Sequence, residues 1–274
     1  MDIGTKEQET VTEEALAGWR LLSFPPSTGC ALARWAMLLY GLEFNEEWHT
    51  VPFLQLKSKK LGAPDSFFPV IYKGDTVFSS SKTGLGYLET IVPSDRKLVP
   101  TDPEQAKLVN ELWTDIFDTL GGQAGPWAYS YLLPMRNIMV PVFGDRCPWF
   151  EKAFVALLYS TVRGMVGGAL EIGDDTGAVA MQAIERMFAR VDDLLADGRE
   201  FLVGDRLTMA DMSFACLGVP LVWADGFDGA LPPLDRTPAE LQETVAAFRR
   251  RPAGQFILKM FDVYRPTLRR DRVE

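Results

Sequence analysis

The chain has 274 residues, a length that one hydrophobic core seldom fills, so we expect one large domain or two modest ones. Hydrophobic residues make up 47% and charged residues 24% of the sequence, which excludes wholesale disorder. The formal net charge is -9, and an acidic protein repels a phosphate backbone, so nucleic acid is not an expected partner.

The cysteines and the N-terminus indicate the compartment. Cys30, Cys147 and Cys216 are far apart and odd in number, which predicts free thiols in a reducing compartment and no zinc motif. Residues 1–17 are acidic and polar and lack the character of a signal or transit peptide, so we interpret them as a disordered tail. No apolar run approaches the roughly 18 residues of a membrane span. The expected location is the cytoplasm.

The first elements along the chain are a strand and a helix. Residues 19–24 form an apolar run that ends at the Pro25-Pro26 pair, which is typical of a buried strand. Residues 27–41 carry apolar side chains at a spacing near 3.6 and end in a glycine suited to a C-cap, so a helix with Ser27 at its N-terminus is predicted. Residues 43–51 are a second predicted strand, and residues 53–61 a weak helix or a loop.

A hairpin completes the first domain. Residues 68–72 and 76–79 are rich in strand formers and flank a turn at Gly74, and a helix is predicted over residues 81–91. The order strand, helix, strand, helix, strand, strand, helix over residues 18–92 is that of the thioredoxin-like fold. A doubly wound nucleotide-binding domain would need a glycine-rich phosphate loop after the first strand, and Ser27-Thr28-Gly29 is not one.

An all-helical domain is predicted over residues 103–274, after a linker at residues 93–102 marked by its prolines. Its predicted helices cover residues 105–120, 148–164, 178–197, 208–217, 237–250 and 252–264. The aromatic and proline-bearing connection over residues 121–147 has the length of a lid or binding loop, and packing onto the domain surface is an equal alternative.

The stretch before the fourth of these helices is distinctive. Thr208 and Asp211 have the spacing of a capping box, and Phe-Leu-Val-Gly-Asp at residues 201–205 precedes it. With this F-L-x-G-D-x-x-T-x-A-D string the sequence resembles the soluble glutathione transferases, and the resemblance extends over nearly the whole chain. It implies a thioredoxin-like glutathione-binding domain, an all-helical C-terminal domain, and a cytoplasmic, detoxifying homodimer that uses glutathione and no metal.

Ser27 is the predicted catalytic residue. A hydroxyl at a helix N-terminus lies among unpaired N–H groups and a partial positive charge that favour an anion. Counted back from Gly41, with Arg34 as a second anchor, Ser27 falls where the resemblance places a catalytic hydroxyl or thiol. The serine implies that its hydroxyl stabilises the thiolate of glutathione and so lowers the pKa of that thiol. The alternative is an ordinary helix N-cap.

The resemblance also implies a glutathione-binding set in the hairpin and the helix after it. The Phe68-Pro69 bond is expected to be cis and to expose the backbone of Val70 to the cysteinyl part of glutathione, and Ser81 is expected to bind the γ-glutamyl end. Ser80 departs from the family, which usually has an acidic residue or glutamine there. We therefore expect Lys82 or a water molecule to bind the γ-glutamyl amine in place of that side chain.

His49 and Lys57 are candidates for binding the glycyl carboxylate of glutathione, and the alternative for His49 is a solvated residue at a strand edge.

Cys30 follows Ser27 by three positions, where redox relatives have the second cysteine of C-x-x-C. Because the first position holds a serine, we interpret Cys30 as a buried structural residue, and glutaredoxin-type activity is not favoured.

The pocket for an apolar electrophile is expected between the domains. Its candidates are aromatic residues of the helical domain and the residue before Ser27: Pro26, Trp113, Phe117, Trp127, Tyr129 and Trp223. Aromatic residues at helical spacing are also typical of a core. The aromatic connection and residues 217–223 are most similar to bacterial β-aryl etherases and related fungal transferases, which implies ether cleavage or conjugation. A non-catalytic protein that binds apolar ligands or other proteins is the competing hypothesis.

Overall fold

A computed structural model of the chain describes residues 13–63, 68–173 and 175–265. Four strands form one sheet in the order β2-β1-β3-β4. They are β1 (Trp19–Ser23), β2 (Phe44–Trp48), β3 (Val70–Lys73) and β4 (Thr76–Phe78). β1 and β2 are parallel, whereas β3 is antiparallel to both β1 and β4. This mixed sheet confirms the predicted thioredoxin-like fold of the first domain.

Four helices accompany the sheet: α1 (Glu13–Leu16), α2 (Thr28–Leu39), α3 (Val51–Lys60) and α4 (Ser81–Ile91). The α2 helix is almost wholly buried and ends where Gly41, at φ +69°, lets the N–H of Leu42 bond the carbonyl of Met37. The prediction of a disordered tail over residues 1–17 is wrong for residues 13–16, which form α1. The indole N–H of Trp19 donates to the carbonyl of Ala15 and holds this helical turn in place. Residues 1–12 of that predicted tail lie outside the described residues.

The second domain is helical throughout its described part. Its helices are α5 (Pro103–Ile116), α6 (Gly122–Leu132), α7 (Arg136–Phe143), α8 (Trp149–Leu157), α9 (Tyr159–Ala169), α10 (Thr176–Leu195), α11 (Met209–Val222), α12 (Ala239–Arg249) and α13 (Pro252–Lys259). Single π-helical turns follow α5 and α13 (Phe117–Gly121 and Met260–Tyr264), and short 3₁₀ turns lie at Ser94–Arg96 and Leu234–Arg236. None of the described helices is long and apolar enough to cross a membrane.

The α11 helix is the centre of this domain, and every one of its residues is buried. The predicted capping box is present at its start: the Asp211 carboxylate accepts from the N–H and the hydroxyl of Thr208 and from the N–H of Leu202. The helix runs past the predicted end at residue 217 because burial overrides the helix-breaking tendency of Gly218 and Pro220. A Cβ on Gly218 would lie 2.6 Å from Ile257 Cδ1, so this glycine lets α13 approach α11 closely.

The predicted lid or binding loop over residues 121–147 is wrong. The segment forms α6 and α7, and α6 packs against α10 with Trp127 almost fully buried. The apolar side chains of the segment therefore build the core of the domain. The predicted helix over residues 148–164 is two helices, because the chain bends at Leu158, whose φ of -115° and ψ of 34° lie outside the helical region.

A buried ionic network joins the two domains. Arg34 on α2 donates through Nε and Nη2 to the two carboxylate oxygens of Glu46 on β2, each at 2.6 Å. Its Nη1 lies 2.8 Å from Asp228, which follows α11, and Asp228 also pairs with Arg265 at the end of the described chain. The guanidinium of Arg34 also stacks over the ring of Trp48, at 4.5 Å from the ring centroid.

Candidate functional site

Ser27 lies at the N-terminus of α2, as predicted. Its backbone is extended and its N–H donates to the carbonyl of Phe24 at 3.0 Å, which closes the turn between β1 and α2. Its Oγ accepts from the N–H of Cys30 at 3.2 Å. A serine hydroxyl that accepts one bond still has its own proton to donate, so the N-cap geometry leaves Ser27 able to bind an anion.

The predicted catalytic residue, Ser27, and two of the predicted glutathione-binding residues, Pro69 and Ser81, meet around Gly29 in the first turn of α2. A Cβ placed on Gly29 would lie 3.5 Å from Pro69 Cδ, 3.6 Å from Ser81 Oγ and 3.7 Å from Ser27 Oγ. These residues come from three different segments, and the Phe68-Pro69 bond is cis. We name this small space the Gly29 cradle.

The remaining predicted residues of the hairpin and of α4 have structural partners near the cradle. Val70 is buried and begins β3 opposite Leu22 of β1. Ser80 is the N-cap of α4, because its Oγ accepts from the N–H of Lys82 at 3.2 Å. Ser80, where the resemblance leads us to expect an acidic residue or glutamine, therefore caps a helix in this chain.

Lys82 reaches from α4 to the second domain. Its ammonium lies 3.3 Å from the Asp118 carboxylate and 5.5 Å from the centroid of the Phe117 ring. Asp118 has no sequence motif that would single it out, because its carboxylate meets Lys82 only where the π-helical turn after α5 approaches the start of α4.

His49 is not the solvated histidine that the alternative interpretation expected. It is buried, and its Nδ1 lies 2.6 Å from the Glu151 carboxylate of α8, which also accepts from the N–H of Thr50 at 2.8 Å. Its Nε2 lies 3.0 Å from the ammonium of Lys57, which pairs with Glu47. Both candidates for the glycyl carboxylate therefore already contact carboxylates of this chain, and Glu151 was not predicted at all because it lies far away in the sequence.

Cys30 is buried beneath Ser27. Its Sγ accepts from the N–H of Phe24 at 3.4 Å. Burial raises the pKa of the Cys30 thiol, and hydrogen bonds from Ser27 and from the backbone of Phe24 offset this only in part. A protonated, inaccessible thiol is a poor nucleophile, which agrees with the interpretation of Cys30 as structural. Cys147 and Cys216 are likewise free and buried.

The predicted electrophile pocket separates into two groups. Trp113, Trp127 and Trp223 are buried core residues, and the indole N–H of Trp223 donates to the carbonyl of Pro232 at 2.9 Å. The prediction that these three line the pocket is wrong, because their large apolar surfaces fill the helical core. Pro26, Phe117 and Tyr129 keep part of their surface accessible.

Tyr129 lies where the helical domain approaches the β1–α2 turn. Its ring centroid is 6.1 Å from that of Phe143, which itself packs 5.3 Å from Phe24 at the end of β1. Burial first, and then the neighbouring Cys30 and Tyr159, raises the pKa of the Tyr129 phenol far above its usual range. The phenol is therefore neutral at physiological pH and able to donate a hydrogen bond.

A segment of the second domain also supports the turn that presents Ser27. The N–H of Ala230, two residues after the Asp228 that binds Arg34, donates to the carbonyl of Pro25 at 2.8 Å. Sequence reasoning missed this segment because it is a loop between α11 and α12 without a motif.

Residues 174–243 match the family model of the glutathione S-transferase C-terminal domain. That range contains the capping box and all of α11. No curated protein sequence matches the chain.

Solved structures of transferases are similar over most of the chain. A glutathione S-transferase of Ceriporiopsis subvermispora, in complex with glutathione, is 19% identical with a TM-score of 0.55 over 90% of this chain and 97% of its own. A glutathione transferase of Phanerochaete chrysosporium is 20% identical with a TM-score of 0.54, over 92% and 98%. The β-etherase LigF of Sphingobium sp. strain SYK-6 is 16% identical with a TM-score of 0.56, over 88% and 99%.

The chain has the glutathione transferase fold. Its first domain is the thioredoxin-like part of that fold, and its second domain carries the glutathione S-transferase C-terminal domain. In this glutathione transferase fold the Gly29 cradle lies at the start of α2. Among the described residues, no three His, Cys, Asp or Glu side chains cluster in a way that could hold a metal ion.

Proposed function

We propose that the protein is a glutathione-dependent transferase whose Ser27 hydroxyl stabilises the thiolate of glutathione. The observation that carries the proposal is the Gly29 cradle, which brings the Ser27 hydroxyl, Pro69 and the Ser81 hydroxyl together at a helix N-terminus. The glutathione complex of the Ceriporiopsis transferase supports glutathione as the ligand of this fold. Val70 and Ser81 would bind the peptide, and the Ser27 proton would point to its sulfur.

The chemistry follows from the charge at the cradle. The N-terminus of α2 and the donated hydroxyl both stabilise a sulfur anion, so the bound thiol is ionised at a lower pH than in water. The thiolate then forms a bond to an electrophilic carbon, and the leaving group departs with its bonding electrons. We assign Tyr129 as the donor to the leaving group, because its phenol carries a proton and its ring packs on Phe143, which contacts Phe24 beside the β1–α2 turn.

An apolar electrophile is the substrate class that this surface favours. Pro26 precedes Ser27, and the ring of Phe117 lies beneath the ammonium of Lys82, the residue after Ser81, so both offer partly accessible apolar surface. The similarity to LigF supports an aromatic ether from which the thiolate displaces an aryl oxide. Simple conjugation of an aryl halide uses the same residues and serves as the test reaction. The homodimer, the detoxifying role, the cytoplasmic location and the domain boundaries stay predictions.

The Gly29→Val substitution tests the cradle directly. The valine methyl groups would fill the space between Pro69, Ser81 and Ser27, so we expect glutathione affinity to fall by more than about tenfold, the loss that a steric block of one site produces. Isothermal titration with glutathione measures this. Gly29 lies in α2, and valine has a higher helix propensity than glycine, so the variant is expected to keep its fold.

Gly86→Val is the matched control, because Gly86 lies in α4 of the same domain and a Cβ there meets nothing within 4 Å. The control should bind glutathione as the wild type does. Absence of glutathione binding by the wild-type protein would overturn the proposal and favour the non-catalytic alternative, which the serine at position 80 keeps open. Equal binding by both valine variants would place the ligand elsewhere.

Cys30→Ala separates transferase chemistry from disulfide exchange. Because Cys30 is buried and its pKa is raised, we expect conjugation of an aryl halide to be unchanged, apart from a modest loss of stability. In the wild type, a disulfide reagent such as dithionitrobenzoate should label all three thiols only after denaturation. Fast labelling of native Cys30, together with loss of turnover in the variant, would instead indicate a redox enzyme.

A further inference from the structure

The two domains share an exposed apolar surface built by α3 and α8. Trp149 is 80% exposed, Leu157 82% and Leu56 60%, and Phe150 and Leu158 are each 47% exposed. We call these five residues the α3–α8 face. Large side chains with this exposure amount to several hundred Å², on the order of the patch size that marks an interaction site.

The face is continuous across the domain boundary. Phe53 of α3 packs edge-on against Phe150 and Phe154 of α8, with centroids 5.7 Å and 5.3 Å apart. The ring of Phe150 in turn lies against that of Trp149, at 6.1 Å. Beneath the aromatic residues, the buried contact of His49 with Glu151 fixes α8 to the start of α3. The face is therefore a preformed surface on two helices.

The charge around this face is opposite to that of the whole chain. The protein has 37 acidic and 28 basic residues, yet helices α3, α8 and α9 together carry five basic residues and one acidic residue. The single acidic residue, Glu151, is buried against His49. Lys59 and Lys60 follow Leu56 by three and four positions and so lie beside it on α3, and Arg136 donates to the carbonyl of Ala156 next to Leu157.

We propose that the α3–α8 face binds the surface of an anionic lipid membrane. Tryptophan, phenylalanine and leucine flanked by lysine and arginine are the side chains that enter the boundary between headgroups and acyl chains. The net acidic charge of the protein opposes binding to anionic lipid through most of its surface, whereas the basic residues beside this face favour it. A second copy docked on the same face would bring two basic surfaces together, which disfavours that occupant.

Cosedimentation with lipid vesicles tests the proposal. The wild-type protein should bind vesicles that contain phosphatidylserine in phosphatidylcholine, bind pure phosphatidylcholine much more weakly, and be released as salt rises from about 0.05 M to about 0.5 M. Trp149→Ser with Leu157→Ser should weaken partitioning by at least about tenfold, since two large apolar groups are lost. Lys59→Glu with Lys60→Glu should weaken it similarly, and only at low salt.

Two control variants and one further measurement keep the test decisive. Val179→Ser removes an exposed apolar residue of α10, and Lys107→Glu reverses an exposed charge of α5, so both should bind vesicles as the wild type does. Melting curves identify any variant that fails to fold. The proposal is overturned if anionic vesicles do not retain the wild type, or if the controls lose binding equally. It is also overturned if sedimentation velocity shows a dimer that the Trp149 and Leu157 double variant converts to monomers.

Discussion

Ser27→Ala is expected to lower kcat/KM for conjugation by about 100-fold near neutral pH, which is the loss caused by removing one preorganised donor to a developing or bound anion. The donor stabilises the ionised thiol, so it depresses the pKa of bound glutathione. Without it the pKa rises towards the roughly 8.5 of a free thiol. The loss should therefore shrink at high pH, where an unassisted thiol is ionised, and a pH–rate profile measures that shift.

Ser27→Gly distinguishes donation from helix capping. Alanine at this position also removes the N-cap of α2, which costs about 1 kcal/mol, whereas glycine caps nearly as well as serine. If donation to the thiolate is the role, both variants lose activity alike and Ser27→Thr recovers part of it. Activity retained by the glycine variant would show that Ser27 only starts the helix.

Much of the fold could be predicted because its signals are local. The Pro25-Pro26 turn, the glycine at residue 41 and the capping box at Thr208 each fix one boundary, and the structure has all three. The segment 121–147 was misread because α6 and α7 contain prolines and glycines that usually break helices. Burial decides their conformation, against α10 for α6 and against α8 for α7, and no local pattern reports such contacts.

The candidate site, like the fold, has residues that local sequence signals predict and residues that only contacts between distant parts of the chain reveal. Ser27, Pro69 and Ser81 could be placed because each lies beside a turn or a helix start, and the structure brings them together at Gly29. Glu151, Asp118 and Ala230 could not be found, since their roles arise only when the second domain packs on the first. Aromatic residues were ambiguous for a related reason: the spacing of Trp113 and Trp127 is that of any helix face, and only packing shows that these side chains face the core.

The network around Arg34 decides how firmly the two domains hold the Ser27 turn. Arg34 lies between two carboxylates, Glu46 of the first domain and Asp228 of the second, and all three side chains are largely shielded from water. Two residues beyond Asp228, Ala230 binds the carbonyl of Pro25. The ion pair is therefore coupled to the position of Ser27 through a short loop.

Arg34→Met is expected to destabilise the protein by about 3–5 kcal/mol, because it leaves the buried carboxylate of Glu46 without a cation and that of Asp228 with Arg265 alone. For a chain of this size that corresponds to a melting temperature lower by roughly 10 °C. Calorimetry measures the stability. Because the loop at residues 228–230 loses its anchor, turnover well below the melting temperature should fall as well, while Ser27 itself is unchanged.

Arg190→Met is the matched control, since Arg190 pairs with Asp115 in a contact whose side chains are each about half exposed. A surface pair contributes little, so the control should lose less than about 1 kcal/mol and keep full activity. Adding Glu46→Leu to Arg34→Met removes the carboxylate that is left without a cation, while Asp228 keeps its pair with Arg265, and should recover most of the stability, as replacement of a buried ion pair by apolar residues commonly does. Stability without activity in that double variant would show that the network positions the Ser27 turn. Recovery of both would restrict its role to holding the domains together.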